Sequence, residues 1–123
     1  MLRPGELITS IVVPRSDAAR HSRYLKVRDR ASYAFAVASA AVGLRTQAGI
    51  VTAARIAIGG TTTRPWRCSA AEESLRGSPL TAETARRAGE LAYESARGPA
   101  TRIEVGIRTV VQALLSLGEE SAS

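Results

Sequence analysis

The sequence predicts an α+β domain, in which an antiparallel sheet of about three to four strands is covered by about three helices. The first half is rich in β-branched and alternating side chains, whereas helix caps and helical periodicity appear only from Ser69 onward. This order of strands first and helices afterwards is typical of α+β proteins. Because 123 residues with 45% hydrophobic content can bury one modest core, we predict a single domain over residues 1–118 and a frayed tail over 119–123.

The first half contains three predicted strands. Residues Glu6–Val13, ELITSIVV, are β-branched and end at Pro14, and the polar RSDAARHSR that follows is expected to be an exposed loop. Between Tyr33 and Leu44, large side chains alternate with alanines, which favours a strand whose alanine face lets a helix pack closely. The alanine content would also suit a helix. A further strand is expected from Val51 or Ala53 to Ile58, after a turn at 47–49.

The second half contains three predicted helices. Ser69 and Glu72 have the spacing of a capping box, with Gly77 near the helix end. Thr81 is expected to cap a second helix that runs to about Ala96 and carries a stripe of small residues. Thr101 and Glu104 have the spacing of another capping box, and the apolar residues that follow it give the strongest helical periodicity of the chain: Ile103, Ile107, Val110, Val111, Leu114 and Leu115.

Composition excludes several classes of site. A single cysteine, Cys68, excludes an internal disulfide, and with one histidine, His21, no zinc or iron–sulfur ligand set can form. No apolar run is long enough to span a bilayer, so we expect a soluble cytoplasmic protein. No serine lies in a nucleophile-elbow motif, and no catalytic residue or metal site is predicted.

The stretch RIAIGGTTTRPWR, residues 55–67, raises two questions. Gly59-Gly60 matches no phosphate-binding spacing, and a tight turn at the end of a strand is the favoured interpretation. Trp66, between arginines, could form an exposed interaction site or close one end of the core, and the sequence favours neither.

Three segments in this order carry a family resemblance: LRPGELITSIVVP, YLKVRDRASYAFAVASAAV, and ARIAIGGTTTRPWR with the helix after it. Together they resemble the C-terminal domain of the FAD-binding medium subunit of the molybdenum hydroxylases, the xanthine dehydrogenase, aldehyde oxidase and carbon monoxide dehydrogenase family. The resemblance extends from Leu2 to about Leu117. It implies an α+β domain that closes over the isoalloxazine ring of FAD.

The resemblance also implies partners and cofactors. In this family a large subunit holds the molybdenum cofactor, a small subunit holds two [2Fe–2S] clusters, and FAD passes electrons to an acceptor. The FAD pyrophosphate is held by AGGTDL-like and GGN-like loops of a preceding domain, and neither loop occurs in these 123 residues. We therefore expect the chain to share FAD with an FAD-binding N-terminal domain, and to be inactive alone.

The resemblance implies four flavin-binding residues. Lys26, the only lysine, matches the family's flavin-proximal lysine in its Y/F-x-K segment, where a cation would stabilise negative charge on a reduced ring. Tyr24, Arg28 and Ser32 flank the same edge and could line the flavin or a subunit contact. The alternative for Lys26 is an ordinary solvated strand lysine.

Two other functional classes remain open at this point. The chain could be a subunit-interaction module that leaves flavin unchanged. A net charge of +6 also admits nucleic-acid binding, but the sixteen arginines are scattered over every segment and aromatic residues make up only 4%. We therefore predict no nucleic-acid partner.

Overall fold

The computed structural model describes residues 1–27, 38–60 and 64–122, with side chains described through residue 120. A short helix α1 (Asp17–Arg20) precedes the strands β1 (Ser22–Val27), β2 (Ala38–Gln47), β3 (Ile50–Gly59) and β4 (Trp66–Arg67). The helices α2 (Ser69–Leu75), α3 (Ala82–Ala92) and α4 (Ala100–Ala122) follow. The strands form one antiparallel sheet in the order β1-β2-β3-β4, which confirms the predicted fold class.

A long hairpin of β2 and β3 forms the centre of the sheet. Its two-residue turn places Ala48 at φ 53° and Gly49 at φ 81°. Positive φ at both central positions matches the right-handed twist of the strands that the turn joins. The predicted turn at 47–49 and the predicted strand to Ile58 are therefore confirmed, and β3 begins at Ile50.

Three helices cover one face of the sheet. Helix α4 packs on β1 and β2, α2 packs on β3, and α3 lies against α2 and α4. The covered face of β2 consists of alternate buried residues, among which small alanines allow the close approach of a helix: Ala38, Ala40, Val42 and Leu44. The predicted alanine face is thus confirmed where the structure describes it. The aromatic residues Tyr33 and Phe35 lie outside the described residues.

Helix α3 begins as the sequence predicts, and α4 carries the predicted apolar face. The Thr81 hydroxyl accepts a hydrogen bond from the Thr84 amide, and the Thr84 hydroxyl accepts one in return from the Thr81 amide. Helix α3 ends at Ala92, four residues earlier than expected. Helix α4 continues to Ala122, past residue 118, where we predicted the end of the domain. No helix in the described part of the chain is both long and apolar enough to cross a membrane.

The end of α4 is fastened to the start of the sheet. The Arg23 guanidinium on β1 forms a salt bridge with the Glu120 carboxylate. Nearby, His21 Nε2 lies 3.3 Å from the Leu117 carbonyl oxygen. Since Leu25 of β1 also packs against the core, the first strand is held by the last helix as well as by β2.

The predicted strand over Glu6–Val13 is wrong. These residues are exposed and irregular, and none of them pairs with a strand of the described sheet. The polar segment after it is also more ordered than predicted. Ser16 caps α1 by accepting a hydrogen bond from the Ala19 amide at 3.2 Å, and β1 begins at Ser22.

Neither of the two predicted Ser/Thr-Glu capping boxes forms. Helix α2 is preceded by Cys68 at the cap position, without a side-chain cap, and α4 begins at Ala100, so that Thr101 lies within the helix. Both glutamates bind arginines instead: Glu72 accepts hydrogen bonds from Arg67, and Glu104 accepts them from Arg86 and Arg108. Charge-assisted bonds to a guanidinium are stronger than a neutral cap, which explains the difference.

Candidate functional site

The sheet has an open face on the side away from helices α2, α3 and α4. Leu25 of β1 packs against the core, so its neighbours Tyr24 and Lys26 point to the opposite face. The strand register aligns Tyr24 with Ala41, Ala57 and Arg67, and aligns Lys26 with Ser39 and Gly59. The floor of this face is made of small residues: Ser39, Ala41, Gly43, Ala57 and Gly59.

Helix α1 lies over one end of the open face. A Cβ atom at Gly43 would come within 2.6 Å of the Ala18 carbonyl oxygen, so glycine is required for this close approach. A salt bridge of 3.3 Å between Asp17 and Arg45 holds the start of the helix to β2. Helix α1 is therefore fixed on the open face of the sheet.

A cavity of about 440 Å³ lies between α1, Tyr24 and the centre of β2 and β3. Ligand pockets in proteins usually enclose about 300–1,000 Å³. Its walls are mainly apolar, and four charged residues also line it: Arg23, Arg55, Arg67 and Glu72.

Arg67 and Glu72 form a two-point ion pair at the edge of this cavity. Arg67 Nε and Nη2 each donate to a different Glu72 oxygen at 3.0 Å, and the Ile56 amide donates to Glu72 Oε1, also at 3.0 Å. Burial raises the pKa of Glu72, but these bonds and the charges of Arg67 and Arg55 outweigh it and hold the pKa below its ordinary value. The same pair raises the pKa of Arg67. Both groups are therefore charged near neutral pH, and their pairing joins β4 to α2.

The structure brings two of the four predicted flavin-binding residues together. Tyr24, 60% exposed, and Lys26 lie two residues apart on the open face of β1. Arg28 and Ser32 lie outside the described residues. Whether any of the four contacts a flavin stays a prediction.

No nucleophile or metal centre is found in the described part of the chain. The Cys68 thiol is buried, and burial, together with the Glu72 charge, raises its pKa to about 11. Within residues 1–27, 38–60 and 64–122, no group of three or more histidine, cysteine, aspartate or glutamate residues could hold a metal ion.

Sequence reasoning missed Arg55 and the role of Arg67. Alternation along β3 could have found Arg55, because it lies between the buried Ala54 and Ile56. The spacing of Arg67 and Glu72 gave no signal, since their pairing depends on the turn from β4 into α2.

Gly60, at φ 83°, turns the chain after β3, in agreement with the turn interpretation. Trp66 is 58% exposed and does not close the core, which leaves its interaction role as a prediction.

Comparison with protein families and curated proteins gives two matches. A family model described as CO dehydrogenase flavoprotein C-terminal domain matches residues 23–104, from β1 into the first turns of α4. The aldehyde oxidoreductase FAD-binding subunit PaoB of Escherichia coli K12 is 43% identical over 74 residues, which cover 60% of this chain and 22% of PaoB.

Two solved structures have a similar fold. Quinoline 2-oxidoreductase from Pseudomonas putida 86 aligns with a TM-score of 0.76 at 26% identity, over 84% of this chain and 38% of that one. Carbon monoxide dehydrogenase from Hydrogenophaga pseudoflava, at 24% identity, aligns with a TM-score of 0.71 over 78% of this chain and 36% of its own. The chain therefore spans less than two fifths of each protein chain that it matches here.

Proposed function

Because this chain belongs to the CO dehydrogenase flavoprotein C-terminal domain family, we propose that its open sheet face closes over the flavin ring of an FAD-binding medium subunit. The observation that carries the proposal is the placement of Tyr24 and Lys26 side by side on that face, above a floor of small residues. The match to an FAD-binding subunit supports the choice of cofactor.

The residues present fit one end of FAD. Small residues on the floor leave room for a planar ring, Tyr24 offers an aromatic side chain, and Lys26 places a positive charge at the same edge. When bound, FAD supplies the transfer of electrons from iron–sulfur clusters to an acceptor. Lys26 would favour the negatively charged form of the reduced ring, and the apolar floor would exclude water from it. Arg28 and Ser32 are proposed to lie along the same edge.

The remaining parts of FAD must be held elsewhere. Glycine-rich loops that could hold the pyrophosphate do not occur in these 123 residues. We propose that an FAD-binding domain supplies them, and that a molybdenum-cofactor subunit and an iron–sulfur subunit complete a cytoplasmic hydroxylase or dehydrogenase. A single buried cysteine suits a reducing compartment.

Lys26→Ala tests this function. The chain is mixed with the FAD-loaded flavin-binding portion of the same medium subunit, and co-elution of yellow colour and the rate of flavin reduction are measured. We expect the variant to associate normally but to slow reduction about 100-fold, the lower end of the effect of losing one charge-stabilising donor. Arg87→Ala removes an exposed charge from α3 and serves as the matched control. Equal reduction rates in Lys26→Ala and the wild type would remove Lys26 from the site.

A second candidate is an interaction module that binds the same subunits without affecting flavin. The observation that favours it is the exposed Trp66 on the short edge strand β4, because tryptophan is enriched at interface hot spots. Association that leaves the flavin reduction rate identical with and without this chain would favour this candidate.

A further inference from the structure

The cavity beside α1 is distinct from the end of the open face that carries Lys26. Lys26 and the residues aligned with it, Ser39 and Gly59, do not line the cavity. The cavity lies above the next rows of the sheet, over Ala41 and Ala57, and residues of α1 line its far end. The proposed flavin contact at Lys26 therefore leaves this cavity without a ligand of its own.

The charged side chains around the cavity leave one positive charge unmatched. Arg23 lies on the helix side of the sheet, where it forms a salt bridge with Glu120. On the open side, Arg55 and Arg67 share the single carboxylate of Glu72, which Arg67 binds at two points. Two guanidinium groups and one carboxylate give this group a net charge of one positive unit.

The unmatched charge carries free hydrogen-bond donors. Nη1 of Arg55 donates to the Ala54 carbonyl oxygen at 2.9 Å. Among residues 1–27, 38–60 and 64–122, neither the other guanidinium nitrogens of Arg55 nor Nη1 of Arg67 donates to an acceptor. A guanidinium presents its N–H groups as a rigid fork that matches the two oxygens of a carboxylate. Arg55 can therefore receive a carboxylate without giving up a partner side chain.

The other walls of the cavity favour an apolar group. Ala18, Ala41 and Ala57 line it, and the ring of Tyr24, which is 60% exposed, lies on the β1 side. We propose that the cavity binds a small monocarboxylate with a flat apolar body, whose carboxylate meets Arg55 and whose ring packs against Tyr24. One negative charge neutralises the group, whereas the second charge of a phosphate dianion would have no match.

The test uses the chain alone and contains no flavin. Benzoate is the probe, and two compounds each lack one of its features: benzamide has no charge, and acetate has no ring. Binding is measured by NMR from the backbone amide shifts of Gly43 and Ala57, which line the cavity. We expect benzoate to bind at least about tenfold more tightly than either compound, because it alone combines a charge-assisted hydrogen bond with apolar contact.

Arg55→Gln removes the unmatched charge from the cavity. We expect this variant to bind benzoate about tenfold more weakly and to lose the preference for benzoate over benzamide. Arg76→Gln is the matched control, because Arg76 lies near Arg55 at the same end of β3 but does not line the cavity. Both arginines are exposed, so both variants should fold, and the dispersion of their amide spectra checks this.

Four outcomes would overturn the inference. Equal affinities for benzoate and benzamide would show that charge is not recognised. Equal losses in Arg55→Gln and Arg76→Gln would show a general attraction of anions to a basic surface. Phosphate that binds as tightly as benzoate would show the wrong class of ligand. A loss in Lys26→Ala as large as that in Arg55→Gln would place benzoate at the flavin end of the face.

The proposed function fails by a different result. If Lys26→Ala leaves flavin reduction unchanged while benzoate still binds through Arg55, the flavin contact is wrong and the carboxylate site stands.

Discussion

The two faces of the central sheet use the same strands for different purposes. On β2, Ala40, Val42 and Leu44 are at most 2% exposed beneath the helices, whereas Ala41 and Arg45 on the opposite face are exposed. The covered face is apolar and closely packed, and the open face combines small residues with an aromatic ring and cations. The difference teaches that the residues that stabilise the fold and the residues proposed to meet a partner occupy alternate positions of one strand.

The largest expected effect separates the two faces by stability. Leu114, fully buried in α4, and Tyr24 on the open face are each replaced by alanine. We expect Leu114→Ala to lower the free energy of unfolding by about 2–5 kcal/mol because it leaves a cavity. Tyr24→Ala should change it by less than about 0.5 kcal/mol. Urea denaturation followed by circular dichroism measures both, and a comparable loss in Tyr24→Ala would show that the open face also stabilises the fold.

A smaller effect separates the faces by thiol reactivity. Because burial and the Glu72 charge raise the pKa of Cys68 from 9.0 to about 11, its reactive thiolate is scarce at pH 8. In a Tyr24→Cys chain, we expect the introduced thiol to react with iodoacetamide about 100-fold faster than Cys68. The reason is that the thiolate fraction at pH 8 falls about tenfold for each unit by which the pKa of a thiol is raised. Mass spectrometry of the two labelled peptides gives both rates in one sample. Equal rates would mean that the covered side opens readily.

The smallest of the three effects tests the ion pair between the faces. The pKa of Glu72 is lowered in the folded chain, so its contribution to stability is present above the ordinary pKa of glutamate, about 4.3, and is lost as the pH falls through the folded-state pKa. We expect Glu72→Gln to cost about 1–2 kcal/mol at pH 7, reduced because Arg67 is largely exposed, and to cost less as the pH falls below about 4.

Glu73→Gln is the control for this comparison. Glu73 is exposed and lies 3.9 Å from Arg76, so its loss should cost less than about 0.5 kcal/mol at either pH. Urea denaturation at pH 7 and pH 3 gives the four values. A pH-independent cost for Glu72→Gln would show that its charge does not stabilise the fold.

Local signals in the sequence predicted much of the covered face. The β2–β3 hairpin follows from a two-residue turn between alternating runs, and α4 follows from apolar periodicity that Ile107, Val110 and Leu114 satisfy by burial. Family motifs, and not periodicity, led to Lys26 and Tyr24, which the structure places on one face.

Features that depend on distant residues were not predictable in the same way. Ser69 and Thr101 have the local spacing of caps, but their glutamates bind arginines that only the folded chain brings near. Two-sided binding by Arg86 and Arg108 even holds the pKa of Glu104 at about 2. The composition of residues 6–13 favours a strand, but a strand forms only where a second strand pairs with it. No strand of the described sheet pairs with these residues.

The fastening of β1 to the end of α4 also bears on how the chain folds. His21 and Leu117 are 96 positions apart, whereas the strands of the β2–β3 hairpin are joined by two residues. Closing a long loop costs more chain entropy than closing a short one, and non-local contacts slow folding. We therefore expect the hairpin to form early and the docking of β1 against α4 to come late. During synthesis, the surface that carries Lys26 would be completed only after the last helix has left the ribosome.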